Sequence, residues 1–305
     1  MSDLQLSRVR AALYDPQYMN RQVTLGALQT LGVTQVEPLS RIGDLEAAIN
    51  SVPYEFVIAE LQGAEEGVCD LVRRVRHRQA GINPFIVILL TTWDLNADAV
   101  RAVLNSGADD LLARPYTVAQ FQQRITGAAF ARKRFVVTAD YVGPTRRISS
   151  RDPEDEELFE VPNLLRKRIN QTDDRERDMA EVDRVWRNVL RWKAIRLGRQ
   201  LEAWSTQLSK NAVPSGDETA ITTLISRISH TAKELRNYAS TAPGPAYEAL
   251  ADFCNEICKV SAKPPFNGGM QKFLEFASLI SDQVRVATTS DRNGTTAGAV
   301  PFYIG

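Results

Sequence analysis

Two histidines and three cysteines in 305 residues leave little material for metal chemistry or covalent cross-linking. His77 and His230 lie far apart, and Cys69, Cys254 and Cys258 are too few and too scattered for a disulfide framework. Cys254 and Cys258 share a helical face, but no nearby histidine or carboxylate set completes a tetrahedral shell, so they read as small buried hydrophobes. No apolar run approaches the roughly 20 residues needed to cross a bilayer. The first ten residues lack the apolar stretch of a secretory signal. Net charge is missing as well: 37 basic residues balance 37 acidic ones, so no overall field draws in nucleic acid. These absences point to a cytoplasmic protein without membrane or nucleic-acid partners. What is present is an ordinary apolar fraction of 44%, enough for a sizeable core.

The first 133 residues alternate strand-like and helix-like segments. Strands are expected at 9–14 (VRAALY), 34–38, 56–61 (FVIAEL), 85–90 (FIVILL) and 111–113. Helices are expected between and after them, at 21–31, 42–49, 68–78, 97–106 and 118–133. The continuous apolar run at 85–90 suits a parallel strand covered on both faces. Five βα units in this order predict an α/β fold, a flavodoxin-like doubly wound parallel five-stranded sheet. Its ligands would sit at the carboxyl ends of the strands.

Residues 134–175 read as a linker, with a turn at Tyr141-Val142-Gly143-Pro144, a charged run at 146–157 and a short helix around 161–169. Residues 176–286 read as an α-helical domain. Its first helix, 176–209, carries Met179, Val182, Trp186, Leu190, Ala194, Leu197, Leu201, Trp204 and Leu208 three or four apart, a seam that would suit a bundle or a homodimer. Further helices are expected at 218–238, 245–260 and 270–286. The Thr-, Gly-, Ser- and Asn-rich residues 287–305 read as a disordered tail.

The order of elements over residues 8–131, and the residues at the strand ends, resemble the receiver domain of bacterial response regulators. The acidic pair that such domains carry after the first strand is Tyr14-Asp15 here. The phosphoacceptor position after the third strand, in YEFVIAELQG, holds Glu60. Thr91 in ILLTTW matches the threonine or serine after the fourth strand. In GADDLLARPY, Gly107-Ala108-Asp109 matches the usual Gly-Ala-Asp, and Arg114-Pro115 stands for Lys-Pro.

The departures imply a degenerate phosphoacceptor site, a pseudo-receiver. Tyr14 is neutral at pH 7 and supplies no carboxylate. Asp15 remains, with Glu60 as a candidate second ligand, so at most weak Mg²⁺ binding is expected. Glu60 extends the carboxylate by one methylene, a displacement of about 1 Å that costs on the order of a hundredfold in rate. Arg114 offers a planar fork where the family has a compact ammonium. A Glu60–Arg114 pair would lock or mimic one signalling state. Leu111 stands at the aromatic switch position.

Around His230, the sequence LISRISHTAKELRNYAS resembles a histidine phosphotransfer domain through His230 and Lys233, although Glu234 replaces the usual glycine. His230 falls off the apolar stripe of Ile221, Leu224, Ile225, Ile228, Ala232 and Leu235, with Arg227 and Lys233 three residues to either side. It would serve either as a phosphate carrier or as a solvated surface residue. Arg187, Arg191, Arg196 and Arg199 make part of the preceding helix basic, but acidic neighbours upstream and the neutral total favour a solvated face over a DNA contact. No helix-turn-helix signature, P-loop or cyclase motif is present.

The expectation is therefore an atypical response regulator of two-component phosphorelay signalling, not an enzyme. It would act through a histidine kinase or other signalling protein and need no cofactor beyond weak Mg²⁺. The rivals are an active phosphorelay protein using Glu60 or His230, and a DNA-binding transcriptional regulator.

Overall fold

The structure, a computed structural model, describes residues 5–63, 65–146, 158–212, 218–242, 244–261 and 279–293. It divides into two units, Met1–Trp186 and Arg187–Gly305.

In the first unit, β1 (Arg10–Tyr14), β2 (Gln35–Leu39), β3 (Phe56–Glu60), β4 (Val87–Thr92) and β5 (Asp110–Ala113) form one parallel sheet in the order β2-β1-β3-β4-β5. This is the flavodoxin-like doubly wound order, whose switch point lies between β1 and β3. Helices α1 (Tyr18–Thr30), α2 (Ile42–Ser51), α3 (Glu65–Arg76), α4 (Ala97–Ser106) and α5 (Val118–Phe130) make the crossovers.

Every residue of β3 and β4 is buried, because both sheet faces are covered. The pleat sorts their side chains with period two. Ala12, Tyr14, Val57, Ala59, Ile88 and Leu90 enter a core shared with α2 and α3. Ala11, Leu13, Phe56, Ile58, Val87, Leu89 and Leu112 enter the opposite core with α1 and α5. Local signals fix several boundaries. Asn96 caps α4 by accepting from the Ala99 amide, Gly107 ends it in the left-handed region at φ 92°, and Thr117 with Gln120 forms a capping box on α5.

The segment expected to be a linker is structured over much of its length, which corrects that reading. Strands β6 (Phe135–Val137) and β7 (Val142–Pro144) pair antiparallel. Phe135 is fully buried, edge-on to Phe85 at 6.0 Å, with the Arg76 and Arg132 guanidinium groups over its ring at 5.4 and 5.0 Å. Helix α6 (Leu164–Ile169) sends Leu165 and Ile169 into the α1/α5-side core. The charged run from 147 to 157 lies outside the described residues.

Arg76 is the clasp of this region. It is wholly buried, donates to the carbonyls of Gly107, Pro84 and Ile86, and pairs with Asp109 at 2.9 Å. Asp109 also takes Arg132 at 2.7 Å. Burial pushes the Asp109 carboxyl up, but Arg132 and Arg76 outweigh it and hold it below the ordinary carboxylate value.

The division between units falls inside α7 (Arg175–Ala212). The second unit continues with α8 (Glu218–Thr241), α9 (Pro245–Ser261) and α10 (Ile280–Asn293). Val189, Leu190, Ala194, Leu197 and Leu201 of α7 are buried, as are Leu224, Ile228 and Leu235 of α8 and Leu250, Cys254 and Ile257 of α9. Gly198 lets α10 approach α7 closely, since a Cβ there would lie 2.8 Å from Val284 Cγ2. The seam on α7 is largely buried within the chain, with Val182, Trp186 and Leu208 covered too, so it is not a free face for a second copy.

One further correction concerns the end of the chain. Residues 287–293, expected to be disordered, continue α10, because Ala287 and Thr288 lie on its buried face. Residues 270–278 of the expected last helix, and 294–305 of the expected tail, lie outside the described residues.

Candidate functional site at the carboxyl ends of the strands

The sheet register brings the strand ends together. Glu60 is paired with Thr91, and Thr92 with Ala113. Asp15 follows β1 directly, and Arg114 follows β5. By parity, Glu60 continues the series Phe56, Ile58, and Thr91 continues Val87, Leu89. Both therefore point toward α1 and α5, as Asp15 and Arg114 also do. Tyr14 has the opposite parity and joins the α2/α3-side core. It is not a member of the site, which corrects its place as half of an acidic pair. Burial, then the charges of Asp15 and Glu60, push its phenol above the ordinary value.

Asp15 and Thr91 are 0% exposed, Glu60 1% and Arg114 8%. Glu60 Oε2 accepts from Thr91 Oγ1 at 2.7 Å and from Arg114 Nε at 2.5 Å. Asp15 Oδ2 accepts from Arg114 Nη2 at 3.0 Å. The remaining carboxylate oxygens take backbone amides, Gln17 N on Asp15 Oδ1 at 2.9 Å and Gln62 N on Glu60 Oε1 at 3.1 Å. One guanidinium thus joins two buried carboxylates, and each of their four oxygens already has a donor. Burial raises the Asp15 carboxyl above its ordinary value, although the Gln17 amide and Arg114 both pull against it.

Two residues that sequence reasoning missed complete the network. Arg114 Nη2 also donates to Thr24 Oγ1 at 3.0 Å, and Thr24 Oγ1 meets the Tyr116 hydroxyl at 2.7 Å. The Tyr116 ring lies under the guanidinium at 5.1 Å. Thr24 was readable as a polar residue on the same α1 stripe as Ala27 and Leu28, where a buried hydroxyl needs a partner. Arg21 Nη1 donates to the Asp15 carbonyl at 2.5 Å. Leu111 is half-buried and packs against the α2/α3-side core.

Mg²⁺ does not fit this arrangement. It requires an open octahedral oxygen shell, usually with several waters, whereas the guanidinium fills the space between Asp15 and Glu60. Loading the ion means expelling Arg114 from two charge-assisted hydrogen bonds. The weak metal site expected at Asp15 and Glu60 is therefore corrected: both carboxylates are committed to protein donors.

The histidine expected as a phosphate carrier lies on α8, in the second unit. His230 is well exposed, with its Nε2 3.9 Å from Glu234 Oε1. Of the two cations expected beside it, Arg227 stacks over the Trp204 ring at 4.9 Å. A carboxylate neighbour and a diverted arginine make this face a poor stabiliser of added phosphate charge. Cys254 is buried, which pushes its thiol up to about 12, so it is inert as a nucleophile. Among the described residues, no helix is long and apolar enough to cross a membrane.

No family model matches the chain, and no curated protein does. Solved structures that are similar include an orphan response regulator of H. pylori, 18% identical over 40% of this chain and 96% of that one, with a TM-score of 0.34. A chemotaxis protein of Vibrio cholerae is 18% identical over 39% of this chain and 96% of that one, with a TM-score of 0.34. A response regulator receiver domain protein of Methanospirillum hungatei is 18% identical over 39% of this chain and 92% of that one, with a TM-score of 0.35. The strand order and register establish a flavodoxin-like sheet, and solved structures that resemble it at low identity include response-regulator receiver domains.

Proposed function

We propose that this chain is an atypical response regulator of two-component signalling, read by protein partners and not switched by phosphate. One observation carries the reading: Arg114 closes the strand-end site by pairing with both Asp15 and Glu60, so neither a metal nor a phosphoryl donor has free oxygens to meet. The pair Glu60–Arg114 holds a single state without turnover, and the protein works as a cytoplasmic interaction module, not as an enzyme.

A surface beside the site supports the partner-read mode. Tyr18, Met19 and Val23 on α1 are 62%, 70% and 62% exposed, and Trp93 and Leu95 after β4 are also exposed. Large apolar side chains displayed around a closed site are what a docking face presents. A histidine kinase or another signalling protein is the expected partner.

The test is incubation of the full chain with acetyl phosphate and Mg²⁺, read by intact mass. No phosphoryl adduct is expected on the wild type. An acid-labile adduct that disappears in Glu60→Gln, or in His230→Ala, would replace this reading with an active phosphorelay.

A further inference from the structure

The opposite end of the same sheet carries a second site. Arg8 and Arg10 stand at the start of β1, Gln35 opens β2, Arg168 lies in α6, and Arg175 opens α7. Together they line an open cleft of about 340 Å³. That volume falls within the usual span of small-molecule sites, roughly 300–1,000 Å³.

The charge here is not balanced. Glu55, almost fully buried, holds Arg10 at 3.1 Å and Arg168 at 2.7 Å. Asp173 pairs with Arg168 and, at 3.4 Å, with Arg8. Arg175 pairs with no acid among the described residues. Asp178, in the adjoining wall, is engaged by Lys167 at 2.6 Å, and so is Glu181 at 2.5 Å. Counting Lys167 with the two acids it joins, five cations therefore face four carboxylates, and the acids act chiefly to orient the forks. Asp173 Oδ1 is buried without a donor and adds nothing to an anion's welcome.

We propose that this cleft binds a small phosphorylated anion. Guanidinium forks match phosphoryl oxygens in bidentate pairs, and several forks on one cleft suit a ligand with more than one anionic oxygen pair. The lining has no aromatic side chain to stack a base, so recognition is of the phosphoryl groups. A bound ligand would tie the feet of β1 and β2 to α6 and the first turn of α7. This inference is independent of the reading of the Glu60 site.

The experiment is calorimetric titration of the full chain with pyrophosphate at fixed ionic strength, with hexaglutamate as the carboxylate comparison. Saturable one-to-one binding with a Kd below about 1 mM is expected. Arg8→Gln and Arg175→Gln, both at exposed positions, should each weaken it about tenfold. Arg41→Gln, outside the cleft and paired with Asp44, should leave it unchanged. Absence of saturation at about ten times that concentration overturns the proposal. So does equal weakening in Arg41→Gln, which would mean diffuse attraction. Hexaglutamate binding as tightly as pyrophosphate would assign the cleft to an acidic protein segment, and would overturn it too.

Discussion

Replacing Arg114 by methionine keeps most of the aliphatic stem and removes the charge that joins Asp15 to Glu60. Both carboxylates would remain buried, and their Oδ2 and Oε2 atoms would lose the guanidinium that meets them at 3.0 and 2.5 Å. Thr24 would lose the same donor. Stranding charge in this way costs about 3–5 kcal/mol, far more than breaking an exposed pair. For a unit of this size that is a fall in Tm of roughly 6–20 °C. The assay is calorimetric melting of the full chain, following the transition that carries the α/β unit. The triple variant Asp15→Asn, Glu60→Gln, Arg114→Met removes all three charges and should recover most of the loss, because neutral groups need no counter-charge. A single variant costing under about 1 kcal/mol, as a surface ion pair would, refutes the reasoning. So does a triple variant no better than the single one.

Three other outcomes follow from the packing. Gly107→Ala places a Cβ 2.8 Å from the Val142 carbonyl oxygen and 2.9 Å from Arg76 Cγ, at φ +92°. It should cost about 1–3 kcal/mol and speed amide exchange in β6 and β7 while sparing β3. Asp109 has a folded pKa below its unfolded value, so its contribution is complete above the ordinary carboxylate pKa and is lost as pH falls through the depressed one. Stability measured by urea unfolding should therefore drop below about pH 4, and Asp109→Asn should flatten that drop. In the helical unit, Gly198→Ala should lower stability by driving a methyl into Val284, and Val284→Ala should restore part of it. Equal melting of Gly198→Ala and wild type would remove that close approach.

The parallel sheet was legible because 56–59 of β3 and 87–90 of β4 are uninterrupted apolar runs and because Gly107 marks the end of α4. Boundaries shifted where side chains intervene. The strand expected to begin at Phe85 begins at Val87, since Asn83 turns back to accept the Phe85 amide and Arg132 takes the Phe85 carbonyl. The hairpin of β6 and β7 escaped notice because three-residue strands offer no period to read. Its anchor, Arg76–Asp109–Arg132, joins residues 33 and 23 apart. Asp15, Glu60, Thr91 and Arg114 were singled out from their order along the chain. The separation of Tyr14 from them was available in the two-residue alternation with Ala12. Thr24 was readable as a buried hydroxyl on the α1 stripe, but its partner Tyr116 was hidden because the contact depends on how α1 and the end of β5 meet.

The most direct measurement is NMR titration of the full chain with Mg²⁺ and then beryllofluoride, following the amides of Asp15, Gln17, Glu60, Gln62, Thr91 and Arg114. With Arg114 closing the site, these resonances stay in place at millimolar Mg²⁺ and do not respond to beryllofluoride. Saturable shifts at those positions with both ligands would show that Arg114 yields the site, and that phosphate switching, not a fixed ion-paired state, governs this protein.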